Sequence, residues 1–216
     1  MYGFAKVTNL NLNTSKIKEY LQFLSLISDC YRFLTYFSEA TNIQLYMNNF
    51  KYCPHCSSKN FEIENLHRME CLECGFIFYQ NVAAAVAVII EKNNHLLFTT
   101  RNSEPGKGML DLPGGFTDPE ETAEETCVRE LKEELNLNFK TEDFTYFTSQ
   151  PNRYKSHGIL YRTEDLIFTA RLPQENNIQL EKDEIKAIHW ISKDQIELEK
   201  IAFDSLKKAV RQYLAQ

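Results

Sequence analysis

Between Gly115 and Leu137 the chain places Glu130, Glu133 and Glu134 within five residues of a segment with helical periodicity. Spaced i, i+3 and i+4, these carboxylates lie along one side of a helix. Like charges that close weaken a bare helix by roughly 0.2–0.5 kcal/mol per pair. A hard divalent cation bound by oxygen reverses that sign, so the cluster points to a metal site. Taken alone, such a cluster is most often just the solvated face of an amphipathic helix. That plainer reading leaves unexplained the turn Pro113-Gly114-Gly115, whose backbone is free to approach a ligand.

The ends of this helix are predicted from its capping residues. Asp118 suits an N-cap, and Pro119 suits the first helical position, where no N–H is needed. Glu120 and Glu121 favour the positive end of the dipole. Ala123, Cys127, Val128, Leu131 and Leu135 recur at three- and four-residue steps and form a buried stripe. Asn136 follows as a left-handed C-cap, a place that Gly usually fills.

The 216 residues, 43% of them apolar, suffice for one ordinary core plus a small module. A net charge of −6 argues against broad electrostatic binding to nucleic acid or to anionic membranes. Cys53-Pro-His-Cys56 and Cys71-Leu-Glu-Cys74 are two Cys-x2-Cys knuckles, able to converge four thiolates on Zn²⁺. A module of about 35 residues cannot build a core alone, so metal supplies its folding free energy. Its few Lys and Arg are outnumbered by Glu, which favours a structural or homodimer-forming role over nucleic-acid binding. Phe61, Phe76, Phe78 and Tyr79 are read as packing residues, and Cys30 and Cys127 as small buried hydrophobes. Six cysteines used this way fit a reducing cytoplasm.

Residues 1–46 differ in character. Ile17 to Phe37 is rich in Leu, Ile, Phe and Tyr but carries Asp29 and Arg32, against a transmembrane span. Two readings stand side by side. One is an upstream extension, with the start at Met47; the other is an amphipathic element for dimerisation or membrane-surface contact.

The remainder alternates strands and helices. Val82 to Ile90 is an apolar run suited to a central strand covered on both faces. Asn93-Asn94 turns the chain into Leu96–Arg101, and residues 102–115 form a long Gly- and Pro-rich loop. Phe144–Thr148, Ile159–Ala170 and Glu184–Ile191 are further strands, and Phe203–Leu214 is a terminal amphipathic helix. Trp190 is assigned to the core.

Gly115, Glu121, Arg129, Glu130, Leu131, Glu133, Glu134 and Leu137 match the Nudix box, Gly-x5-Glu-x7-Arg-Glu-U-x-Glu-Glu-x-Gly-U, with Asn136 in place of the last Gly. The chain therefore resembles the Nudix hydrolases, and residues 82–192 carry the resemblance. The family implies an α/β fold, an α/β/α sandwich with a mixed sheet, here preceded by a small zinc ribbon. The domains expected are a 1–46 extension, a 47–80 ribbon and an 81–216 hydrolase domain. The implied activity is Mg²⁺- or Mn²⁺-dependent hydrolysis of a pyrophosphate bond, giving NMP and X-phosphate from a nucleoside diphosphate linked to X. Carried over by position, Glu130, Glu133 and Glu134 hold the catalytic metal, with the Gly115 carbonyl assisting. Arg129 orients a box carboxylate such as Glu133 or Glu121, and Glu121 supports the loop. Glu184 resembles the extra downstream carboxylate of zinc-ribbon NADH pyrophosphatases, as ligand or base.

Substrate contacts are expected from Arg101 and Lys107 to phosphate and from Tyr154 to a base. Ser149-Gln150-Pro151 matches the NADH pyrophosphatase signature, but Asn152-Arg153-Tyr154-Lys155 departs from it. The Leu110-to-Gly115 run, the Pro-Asn-x-Tyr loop and the Asp204-Ser-Leu-Lys-Lys helix look closer to a less-characterised bacterial zinc-ribbon Nudix group. Two alternatives to the general hydrolase remain: an NAD(H) or NAD-cap pyrophosphatase, and a non-catalytic nucleotide sensor. The intact carboxylate set weighs against the sensor.

Overall fold

Five consecutive residues of the apolar run, Val86 to Ile90, are buried, and their alternation builds a core on each face of one sheet. Val86, Val88 and Ile90 face one cluster; Ala87 and Ile89 face the other. The computed structural model describes residues 50–64, 67–172 and 178–216. The readings of the 1–46 extension, Cys30 included, lie outside the described residues.

The first unit is a small antiparallel sheet of β1 (Phe61–Glu64), β2 (Arg68–Cys71) and β3 (Ile77–Tyr79). Its core is Met69, fully buried against Phe50, Phe61, Phe76, Phe78 and Leu160. Tyr79, expected to pack, is half exposed instead, on the outer side of a three-residue edge strand.

The larger sheet contains β4 (Ala83–Lys92), β5 (His95–Arg101), β6 (Leu110–Asp111), β7 (Thr145–Ser156), β8 (Ile159–Arg171) and β9 (Ile185–Ser192). Strand order is β6-β5-β4-β8-β7, with β9 on the other edge of β5. β4 runs parallel to β8 from Ala83↔Thr163 to Glu91↔Arg171, and the other pairings are antiparallel. The sheet is thus mixed. β4 and β5 meet at the Asn93-Asn94 turn, where both asparagines have positive φ, as a two-residue hairpin of this hand demands. Beyond that base the two strands diverge. The gap is filled by residues 113–117: Val88 N–H donates to the Pro113 carbonyl (2.9 Å), Val86 N–H to Gly115 (2.8 Å), and Thr117 N–H to Ala84 (3.1 Å).

Two helices cover the sheet. Helix α1 (Ala123–Leu135) buries Cys127, Leu131 and Leu135 against Val86, Val88, Ile90 and Leu97, with Trp190 packed at the margin. Helix α2 (Asp204–Leu214) buries Leu206, Ala209 and Val210 on the opposite face. Among the described residues, no helix is long and apolar enough to cross a membrane.

The start of α1 lies four residues beyond the Asp118 expected as its cap. Thr122 is the N-cap, in a capping box with Glu125. Glu120 takes φ +73°, which interrupts any helix begun at Pro119. The C-terminus matches the expectation. Asn136 sits at φ 55°, ψ 30°, and bonds from Leu137 N–H to Leu131 and from Asn136 N–H to Lys132 complete a Schellman closure. Lys132 Nζ steadies the amide of Asn136 at 2.7 Å.

Candidate active site

The Gly-rich wedge, α1 and the ends of β4, β5 and β8 enclose a cavity of about 430 Å³. Glu130, Glu133, Glu134, Arg129, Arg101, Tyr154 and Glu184 all line it. Glu121 stands behind Arg129. Lys107 is exposed and does not contribute to the wall.

Glu134 is half-buried on the cavity wall. Its Oε2 accepts one hydrogen bond, from Gly114 N–H at 3.1 Å. Burial, followed by the charge of Glu130, holds its carboxyl well above the usual carboxylate range. Burial also raises Glu130, against the opposing pull of Arg129. Glu130 lies hard against Gly115: a Cβ there would stand 2.4 Å from Oε1. At Gly114 a Cβ would stand 2.2 Å from the Val86 carbonyl, and φ is +143°. Gly114 is therefore required sterically by the sheet, whereas Gly115 leaves the space that the Glu130 carboxylate occupies.

Arg129 is the hub of the acidic face. Its Nε and Nη2 form a two-pronged pair with Glu121 at 2.8 and 3.0 Å. Nη1 reaches Glu130 at 2.8 Å and Glu133 at 3.2 Å, and Nη2 also donates to the Phe116 carbonyl. The pairing with Arg129 brings Glu121 down to about 2, and Thr126 and Asp118 N–H add their donors. Glu133 is drawn outward by this contact and is largely exposed.

Two sequence expectations meet competing demands. The Gly115 carbonyl already accepts from Val86 N–H, so it serves the sheet. Arg101 is committed to Asp111 (2.5 Å) and to the Pro105 carbonyl (2.6 Å), with its guanidinium over the Phe203 ring. Its charge is paired before any phosphate arrives.

Sequence reasoning missed two cavity residues. Asp111 and Asp165 are both under 9% exposed. Burial pushes Asp111 up to about 6, against Arg101. Asp165 accepts from Thr163 Oγ1 (2.7 Å) and Ser205 Oγ (2.6 Å). For Asp165 the available signal was an acidic residue directly before the apolar Leu166-Ile167-Phe168 of a predicted strand, because an ionisable group in a central strand needs a reason to be there.

In the small sheet, the Sγ atoms of Cys53, Cys56, Cys71 and Cys74 lie within 4.8 Å of one another. Among the described residues, this is the one group of three or more ligand atoms so closely gathered. Four convergent thiols with no disulfide between them form a donor set suited to Zn²⁺. Gly75, at φ +71°, makes the turn after the second knuckle.

A family model described as NUDIX domain matches residues 80–213. The chain belongs to the Nudix family. Among similar proteins is the NAD-capped RNA hydrolase NudC of Vibrio parahaemolyticus, 28% identical over 149 residues, covering 67% of this chain and 56% of that protein. NudC of Haemophilus influenzae is 25% identical over 174 residues, covering 80% and 61%. The ADP-ribose pyrophosphatase of Methanocaldococcus jannaschii is 45% identical over 75 residues, covering 35% of this chain and 44% of that one. The chain thus spans about three fifths of the length of the NudC relatives. A crystal structure of a Nudix hydrolase from Nitrosomonas europaea superposes with a TM-score of 0.59 at 24% identity, covering 77% of this chain and 91% of that one, a likeness of fold. The Nudix assignment accounts for the mixed sheet between two helices and for the placement of the box.

Proposed function

We propose that the chain hydrolyses a pyrophosphate bond in a nucleoside diphosphate linked to a second moiety, with Mg²⁺ or Mn²⁺ at Glu130, Glu133 and Glu134. The observation that carries this reading is the charge of the cavity. Seven carboxylates line it against two guanidiniums, and both guanidiniums are already paired. A pyrophosphate cannot enter such a wall on electrostatic grounds unless divalent cations come with it. Glu134 in particular is a half-buried carboxylate whose hydrogen bond comes from one backbone donor and whose nearest charge is another carboxylate, a state that a cation would relieve.

When bound, the divalent ion lowers the pKa of a ligated water and neutralises charge on the departing phosphate. The chain's own residues do the rest. Gly114 N–H holds Glu134 in place, and the Gly115 carbonyl, which accepts one hydrogen bond from Val86 N–H, keeps a second lone pair with which to assist the metal. Arg129 keeps Glu130 beside Gly115 and must release Glu133 before that side chain can turn inward. Glu121 anchors Arg129. Glu184 places a further carboxylate on the same wall. Tyr154 offers a ring to a base, and Arg101 shapes the loop through Asp111 rather than contacting phosphate. The four cysteines hold Zn²⁺ as a structural ion, which suits a reducing cytoplasm.

The names of the NudC relatives favour a narrower reading, an NAD(H) or NAD-cap pyrophosphatase. Turnover assays on ADP-ribose, NADH, a dinucleoside polyphosphate and ATP, each with Mg²⁺, separate the two. Glu134→Gln is expected to abolish hydrolysis with the fold intact by far-ultraviolet circular dichroism. Undiminished turnover by Glu134→Gln would overturn the metal assignment. Absence of hydrolysis on every substrate, with nucleotide still bound, would favour the sensor reading instead.

A further inference from the structure

The β7–β8 hairpin extends past the strand that supports it. β4 pairs with β8 only from Thr163 onward, so Arg153–Ser156 and Ile159–Arg162 form a two-stranded tip around His157-Gly158. A two-stranded hairpin is at best marginally stable in water by itself. This tip carries part of the cavity wall. Tyr154 and Tyr161 are directly opposite in the register, hence on one face. That face meets Phe116, next to the Gly turn, at ring-centroid distances of 5.5 and 6.4 Å. Tyr154 also contacts Phe203 at 5.8 Å.

Leu160 adjoins Tyr161 and therefore projects from the other face. There it packs on Met69, the single fully buried residue of the four-cysteine module's own cluster. The module is thus in contact with the hydrolase domain through the back of the segment whose front lines the candidate site.

We infer that the four-cysteine module is a positioning element for the active site: through Met69 and Leu160 it holds the hairpin tip so that Tyr154 and Tyr161 face Phe116. Leu160 is a positioning residue, acting through the two tyrosines. The consequence falls on nucleotide binding, through Tyr154, rather than on Glu130, Glu133 and Glu134, which are positioned by α1. The inference rests on the hydrolase reading for its kinetic part only.

The test is Leu160→Ala in the full, zinc-loaded chain, with Leu160→Met as the conservative control and zinc-stripped wild type as a second perturbation. Amide hydrogen exchange is followed by peptide across 153–162 and across α1. Leu160→Ala and zinc removal are expected to speed exchange in the hairpin tip and leave α1 unchanged. On the best substrate, Leu160→Ala should raise KM by about fivefold with kcat within about twofold, and Leu160→Met should restore KM. Unchanged exchange in the tip under both perturbations overturns the inference, as does a fall in kcat without a rise in KM. Faster exchange in a chain that hydrolyses none of the substrates supports the coupling and defeats the hydrolase reading.

Discussion

Gly115→Ala and Gly114→Ala should separate catalysis from folding within one dipeptide. At Gly115 the new methyl would lie 2.4 Å from Glu130 Oε1 and 2.6 Å from its Cδ. Restoring an ordinary contact of about 3.5 Å moves the carboxylate by about 1 Å. The obstacle is the end of a flexible side chain, so the fold yields cheaply, within about 1 kcal/mol. A displacement of about 1 Å in a ligand is expected to cost roughly 10²-fold in rate. At Gly114 the methyl would meet the Val86 carbonyl at 2.2 Å and the Ala87 Cα at 2.9 Å, both backbone. Strain at φ +143° adds about 1–3 kcal/mol, and overpacking a similar amount. For a chain of this size that lowers Tm by at least about 5 °C. Circular-dichroism melts and Mg²⁺-dependent hydrolysis of ADP-ribose read both effects. Wild-type kcat in Gly115→Ala would refute the claim that Glu130 works from the position Gly115 leaves open to it.

Divalent cations should raise Tm more at pH 8 than at pH 5. Glu130 and Glu134 have raised folded pKa values, so without metal their contribution to stability falls as pH rises from 4.5; a cation removes that loss. Saturating Mg²⁺ at about 100 times its Kd adds about 2.7 kcal/mol. An equal shift at both pH values would count against ligation by these two groups. Glu121 behaves oppositely: its pairing with Arg129 contributes above pH 4.5 and is lost as pH falls toward about 2, so Glu121→Gln should flatten the acid limb of a pH–Tm curve. Arg129→Ala should lower kcat by about 10²-fold, through unanchored Glu130 and Glu133, and an unchanged kcat would make the hub ornamental. Asp111→Ala should cost about 1–3 kcal/mol, because the half-buried Arg101 loses its carboxylate and keeps only the Pro105 carbonyl and the Phe203 ring; a loss under about 0.5 kcal/mol in chemical denaturation would refute that pairing's importance.

The parts of this molecule legible in the sequence are those where local chemistry and tertiary demand agree. The C-terminus of α1 is one, since Asn136 tolerates the left-handed conformation that the Schellman closure imposes. The buried stripe of α1 and the central strand are others, each carried by a clean period. The N-terminus of α1 was misplaced because Asp118-Pro119 offers a strong start signal that the loop overrides with a positive φ at Glu120. The true signal, Thr122 with Glu125, was present and weaker. β7 runs to Ser156, well past the predicted Thr148, because an edge strand accommodates Pro151 and a polar outer row that read as loop. Spacing marked Glu130, Glu133 and Glu134 as a cluster, and the match to the box, not the spacing, gave them their expected role. The inner floor of the cavity depends on strands far apart in the chain meeting side by side: an Asp within a predicted strand hinted at Asp165, but no local pattern brings Asp111 beside it.

The wedge between β4 and β5 has a bearing on how such proteins diversify. Residues 113–117 hydrogen-bond along β4 as a strand would, so the dipeptide beside the box carboxylates moves only if the sheet moves. New specificities in this lineage should therefore arise where the chain is held to the rest of the molecule by side-chain packing rather than by the central strands, as the hairpin tip is, while the dipeptide stays as it is. Libraries randomised at 153–162 should yield altered ligand preferences in soluble, folded variants far more often than libraries randomised at 113–117.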